Sequence, residues 1–354
     1  MPSRVIFLQP KPRPLCGVTD HSRFLMAELG RLGIASDIAT LDELAAMTAA
    51  ELADSRLFVQ ASIYGFQAKG VPIRLVLELQ RARDAGAHIS TFFHELWVPE
   101  AKLGSSAFWL NPAQRLVCRR LAACSSTAHF NTRWGWTWGR HLMGERARYS
   151  PTFSTIGEVL TCLPLSERPP VLVCFGAAKN RATAYLALQP QLRALQQAGH
   201  IEEIVDIGAD ATIAPTAAIE AAGLRVRVLG ASASEVVSAE LARARYGMHY
   251  TPWSLATKSS IYGALVAHGV LPISIHEVDP LPLGPAQALR DAAIVLMGVQ
   301  AWAKILTNEA QLFHFEHCVK AARLAYKPMS DVAREISTDF LFAAPMSSQL
   351  IGAR

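Results

Sequence analysis

Paired sulfur is the first thing this 354-residue chain lacks: its six cysteines (Cys16, Cys118, Cys124, Cys162, Cys174, Cys318) lie far apart and form no CxxC pair. That spacing gives no sign of a zinc site or a disulfide framework and fits reduced, structural thiols. Long apolar runs are missing too. His268 and Pro272 interrupt one candidate, and Gln300 and Lys304 interrupt another between Ala292 and Leu306, so neither spans a bilayer. The opening, Met1 to Leu8, is too short for a secretory signal and reads as a first β-strand, which makes the cytoplasm the expected location. No run of five basic residues occurs and the formal charge is only +5, so no nucleic-acid partner is expected. Such a charge suits an anionic ligand or a lipid headgroup equally well. Short-period repeats and low-complexity tracts are also lacking.

What remains is a globular composition, 51% apolar and 18% charged, in a chain longer than one core usually supports. Two domains are expected. Short β-branched or aromatic runs alternate with amphipathic stretches: Val5 to Gln9, then Asp20 to Leu32; Leu57 to Ala61, then Pro72 to Ala85; His88 to Phe93, then a loop. This is the pattern of a parallel sheet covered by helices. The prolines of Thr161 to Pro170 break it and predict an interdomain linker, dividing the chain into 1–160 and 171–354. The second half predicts strands at Val171 to Phe175, Glu203 to Gly208, Arg225 to Leu229, Tyr246 to Tyr250 and Val270 to Ile275. Helices are predicted at Ala182 to Gln197, Thr216 to Ala222, Glu235 to Arg245 and Ser259 to His268. Beyond about Pro285 the chain reads as helical, with Pro328 separating Ala310 to Tyr326 from Ser330 to Phe342. The fold class is therefore α/β, two doubly wound Rossmann-like domains with a helical C-terminal segment.

Ligands of open α/β sheets collect outside the carboxyl ends of the strands, so the loops there carry the search for chemistry. Thr257-Lys258-Ser259-Ser260 precedes an apolar helix ending at Gly269. Its free N–H groups, Lys258 and two hydroxyls suit a diphosphate, although an N-cap on a buried helix would read the same way. Phe175-Gly176-Ala177-Ala178-Lys179-Asn180-Arg181 sets two cations at a helix start, where the dipole disfavours them unless an anion compensates. Neither Walker nor GxGxxG spacing is present. After the first strand, Gly17 permits close backbone approach and Thr19 or Asp20 can cap the next helix, which also describes an ordinary loop. His94-Glu95, followed by Trp97, places an ionisable pair at the mouth of the first sheet, with a satisfied structural histidine as the plainer alternative. Of His314, His317 and Cys318 only the two histidines share a helix face, so no metal site is expected. Trp134, Trp136 and Trp138 between Arg133 and Arg140 could stack a sugar, touch a membrane interface or pack internally.

In order, Gly17-Val18-Thr19-Asp20, Phe93 to Trp97, Phe130-Asn131-Thr132, Pro151 to Gly157, Gly176 to Arg181 and Lys258 to Ile273 resemble the motifs of the retaining glycosyltransferases of GT-B architecture, the group 1 or family 4 class. The resemblance covers most of the chain and implies two domains facing a cleft, the first on the acceptor side and the second binding the donor. It further implies a nucleoside-diphosphate sugar as substrate, no cofactor, and a carbohydrate, lipid-linked or small-molecule acceptor. Peripheral membrane contact, with the enzyme at the inner face of the membrane, is an open option. Under it, Gly17, Gly176, Lys179, Arg181, Lys258, Ser259 and Ser260 would hold the diphosphate. His94 and Glu95 would serve catalysis, and Thr19, Asp20 and Trp97 would face the acceptor.

The chain departs from the family in one respect. Where members carry two glutamates around the Lys258 segment, register places Ala256 and Ala264. A divergent branch, an epimerase or hydrolase of the same fold, and a silent sugar-nucleotide-binding subunit are the alternatives this leaves.

Overall fold

The structure, a computed structural model, describes residues 4–11, 17–98, 101–209, 219–276 and 309–341. It contains two compact units, one running to Ser150 and taking in the helix Met329–Leu341, the other running from Pro151 to Pro328.

In the first unit β1 (Val5–Leu8) is followed by α1 (Gly17–Arg31), β2 (Ser36–Ala39), the short helices α2 (Leu41–Ala46) and α3 (Ala49–Ala53), and β3 (Arg56–Ser62). Then come α4 (Ile63–Phe66), α5 (Ile73–Asp84), β4 (His88–Glu95), α6 (Ser106–Cys124), β5 (Thr127–Phe130), α7 (Arg133–Met143) and β6 (Ala147–Tyr149). Helices as short as α2 and α3 need help at their ends, and each has a complete capping box, Thr40 with Glu43 and Thr48 with Glu51. The strands form one parallel sheet in the order β2-β1-β3-β4-β5-β6. β3 and β4 are buried along almost their whole length because helices cover both faces. Strand order reverses between β1 and β3, which opens a crevice at their carboxyl ends.

The second unit contains β7 (Val171–Phe175), α8 (Ala178–Gln197), β8 (Glu203–Ile207), β9 (Val226–Gly230), α9 (Ser234–Arg243), β10 (Tyr246–His249), α10 (Ser260–Ala267), β11 (Leu271–Ser274) and α11 (Glu309–Ala325). Its parallel sheet has the order β11-β10-β7-β8-β9, so the reversal lies between β7 and β10. The β7 sequence VLVCF is buried at every position, as a central parallel strand requires. Part of the helix expected at Thr216 to Ala222, and everything from Val278 to Pro285 and on to Asn308, lies outside the described residues.

Two boundaries differ from the sequence expectation. Thr161 to Pro170 is packed rather than free: Leu165 and Arg168 are buried, Arg168 donates to the carbonyls of Leu163 and Ala244 at 3.0 Å each, and Arg245 donates to Leu165 O at 2.9 Å. The segment is part of the second unit, which already begins at Pro151. The last helix, α12 (Met329–Leu341), expected in the second domain, returns to the first unit. Asp339 accepts from His129 Nε2 at 3.1 Å and from Arg148 at 2.7 Å, and Phe340 packs edge-on to Phe58 and His88. Burial pushes the Asp339 carboxyl up, but the His129 hydrogen bond and the nearby charges outweigh it and hold the group below its ordinary pKa.

Candidate functional site

At the carboxyl edge of the second sheet β7 ends in Gly176, whose φ of +119° only glycine adopts easily. A β-carbon there would meet Ile261 in the first turn of α10, so the turn after β7 lies directly against the start of that helix. Ser259 caps α10 by accepting from Tyr262 N–H at 3.3 Å, and Lys258 immediately precedes the cap, half-buried. The amides of the first turn precede the first intrahelical bonds and face outward with the positive dipole end. The Gly176 turn and the start of α10, which Lys258, Ser259 and Ser260 lead into, thus lie together beside the strand reversal, where doubly wound sheets bind ligands. Lys179 is exposed in the first turn of α8.

The N-cap reading of α10 is the one the structure shows. The helix is capped, and every residue from Tyr262 to Ala267 is buried. It is also pinned from below: Thr152 N–H donates to Thr257 O at 2.8 Å, and a β-carbon on Gly263 would come within 2.7 Å of Thr152 O. Ala256 and Ala264, where the sequence resemblance leads one to expect glutamates, are both fully buried, Ala264 among Val171, Val173 and Val270.

Arg181 is placed differently from the expectation. Its side chain is fully buried and all three nitrogens are engaged: Nε to Gly176 O at 2.9 Å, Nη2 to Ala209 O at 2.8 Å and Nη1 to the Asp206 carboxylate. Tyr185 donates to the other Asp206 oxygen at 2.7 Å. The guanidinium therefore braces the turns after β7 and β8 instead of presenting itself to a phosphate. Gly208 completes the brace, because any side chain there would strike Gly176 O and the guanidinium.

In the first unit His94 closes β4, and its Nε2 lies 2.5 Å from Gln60 Oε1, while Gln60 Nε2 lies 3.2 Å from His21 Nδ1. An amide oxygen only accepts, so His94 is protonated at Nε2 and His21 accepts at Nδ1. The two rings meet edge-on at 4.8 Å. Burial carries the His21 pKa down to about 3, against the Gln60 hydrogen bond that raises it, so this ring is neutral. Glu95 accepts from Ser62 at 3.0 Å, and Asn131 donates to His94 O at 3.3 Å. Thr19 is buried and Asp20 half-buried in the first turn of α1, with open space around Gly17. His21 was legible only as part of the Gly17 loop; its role depends on Gln60, which lies 39 positions away.

Trp97 does not face an acceptor. It is buried, edge-on to Trp134 and Trp138 at 5.5 and 5.0 Å, with Arg115 over its ring. The tryptophan-rich tract itself packs internally: Gly135 and Gly139 let α7 sit on Phe130, and Trp136 donates to Ala147 O at 3.2 Å beneath Arg133 and Arg140. Cys318 is buried in the second unit's core, His317 is exposed, and the His314 side chain lies outside the described residues. Among the described residues no group of His, Cys, Asp and Glu is arranged to hold a metal ion.

Sequence reasoning missed His249 and His276. His249 ends β10 at the strand reversal, bonds Thr251 at 2.8 Å, and has a pKa lowered to about 3 by burial and then by His276. The signal available was a histidine closing a predicted strand.

No protein-family model and no curated protein matches the sequence. Solved structures do match along the whole chain. WaaG, a glycosyltransferase involved in lipopolysaccharide biosynthesis, covers 96% of this chain and 100% of its own at 12% identity and TM-score 0.56. An alpha-glucosyltransferase in complex with UDP and a 13-mer DNA covers 95% and 98% at 11% identity and TM-score 0.52. The chain has the GT-B fold. Within GT-B the likeness extends to a Listeria monocytogenes protein described as a UDP-N-acetylglucosamine 2-epimerase, 95% of each chain at 9% identity and TM-score 0.57. At such identities the GT-B likeness is one of fold, and the chemistry rests on the residues above.

Proposed function

We propose that the protein is a retaining glycosyltransferase that moves a sugar from a nucleoside-diphosphate sugar to an acceptor without a metal ion or other cofactor. The observation that carries the reading is the contact of the Gly176 turn with the first turn of α10, which gathers Lys258, Ser259, Ser260 and backbone N–H groups at one strand end. Alpha-glucosyltransferase structures of the same fold in complex with UDP support a nucleoside-diphosphate ligand.

The bond between the sugar's anomeric carbon and the β-phosphate oxygen breaks, the acceptor hydroxyl oxygen bonds to that carbon, and its proton passes to the departing diphosphate. Stabilising the charge on that leaving group is the main task. Lys258 and the N–H dipoles of α10 meet it, Lys179 adds a mobile cation, and Arg181 acts by fixing the two turns. In the first unit, His94, oriented by Gln60, and Glu95 are assigned to catalysis, and Thr19 and Asp20 to acceptor recognition. The acceptor is a carbohydrate, lipid-linked or small-molecule hydroxyl, and the reaction runs in the cytoplasm. Among the described residues no helix is long and apolar enough to cross a membrane.

Calorimetric titration with a panel of nucleoside diphosphates tests the site: one base binds, and Lys258→Ala weakens it by about tenfold or more, the loss of one charge-assisted contact. Unchanged affinity in that variant overturns the cradle. Rapid turnover of the donor without acceptor, to free sugar or to an epimerised nucleotide sugar, would instead favour the hydrolase or epimerase reading.

A further inference from the structure

Between Glu100 and Glu145 the sequence has no Asp or Glu but six Lys or Arg, and α6 occupies the middle of that stretch. One face of α6 is core: Val117, Cys118, Leu121 and Ala122 pack against the first sheet. The opposite face is exposed and divided along the helix axis. Leu103, 85% exposed, lies just ahead of the helix, its leading end carries Phe108 and Trp109, 71% exposed, and Leu116 follows about two turns further on. Its trailing end carries Arg115, Arg119 and Arg120, and Lys102 precedes the helix, all four exposed. Among the described residues no carboxylate pairs with any of these four cations. Phe108, Trp109, Pro112 and Arg115 line an open groove of about 410 Å³.

A protein surface rarely keeps several large aliphatic and aromatic side chains exposed along one segment unless something covers them. Charge complementarity fixes the sign of the occupant as negative. The exposed Leu116 on the same face as Trp109, with Leu103 just ahead of the helix, fixes its character, because a base stacks on an aromatic ring but gives an aliphatic side chain little, whereas an acyl-chain boundary accepts both. We infer that the exposed face of α6, led by Leu103 and Trp109 and backed by Arg115, Arg119 and Arg120, docks on an anionic phospholipid surface. The apolar end enters the headgroup layer and the cations hold lipid phosphates, with Arg115 already set at the rim of the groove. This surface is separate from the diphosphate cradle and stands without the transferase reading.

Flotation of the full-length protein tests it, using vesicles of phosphatidylcholine alone and with phosphatidylglycerol added. The protein floats with the anionic vesicles and stays down with the neutral ones. Leu103→Ser with Trp109→Ser lowers the bound fraction by roughly tenfold or more, and Arg119→Gln with Arg120→Gln abolishes the preference for phosphatidylglycerol. Both pairs are exposed, so melting temperatures stay at the parent value, and Lys258→Ala floats like the parent because the cradle plays no part. The inference is overturned if the parent protein fails to float, if either pair floats as well as the parent, or if the arginine pair loses only binding to a single-stranded oligonucleotide.

Discussion

A β-carbon on residue 176 would stand 2.8 Å from Cδ1 of Ile261, so the turn after β7 touches the first turn of α10 through the side chain that Gly176 lacks. Gly176→Ala is expected to cost about 1–3 kcal/mol, mostly from the positive φ, since the end of an isoleucine side chain can move aside. Nucleoside-diphosphate affinity falls more than the stability change accounts for, because the turn shifts away from the cradle. Urea unfolding and calorimetry measure the two effects, and a stable variant with parental affinity contradicts the placement of the site.

Arg181→Met leaves Asp206 buried against Tyr185 without its cation, at a cost of about 3–5 kcal/mol. Converting Asp206 to Leu in the same chain recovers part of that loss. Denaturant midpoints decide the matter: if the single variant unfolds where the parent does, Arg181 is not the brace between the two turns.

Ala264→Glu would introduce the carboxylate expected from the sequence resemblance at a position that is fully buried among valines. An uncompensated charge or an overpacked acid there costs about 3 kcal/mol or more, so the variant should be less stable and bind nucleotide no better. Tighter binding of a nucleoside diphosphate than of the corresponding phosphate alone would show instead that the glutamate can reach a ribose.

His21 and His249 are held neutral in the fold with pKa values of about 3, each mainly by burial. An unfolded chain protonates such histidines near pH 6.5, so stability is complete above that value and declines as pH falls towards 3. Melting curves should shift downward across this window, and His21→Gln with His249→Gln should flatten the decline. Equal slopes for parent and double variant would remove these two rings as the cause.

Much of the fold was legible in local patterns. The apolar run Val171 to Phe175 was matched residue for residue by β7, and the strands and helices after it that the structure describes were displaced by only a few residues. Ser259 as a cap was legible for the same reason, since the acceptor and the N–H it serves are three positions apart. Trp97 was not, because a tryptophan after a strand reads the same whether it meets a ligand or two other tryptophans.

The sequence alone determined the class of the protein: buried parallel strands need near-continuous apolar runs, their helices need caps and amphipathic faces, and all of these are written within a few residues of one another. Tertiary structure decided which charged groups remain available for chemistry. Arg181 is neutralised by Asp206, 25 positions further on, and α12 is claimed by the first unit through Asp339 and His129, 210 positions apart. A cation at a helix start invites an anion, but whether that anion is a substrate or a buried carboxylate depends on which strands the sheet sets side by side.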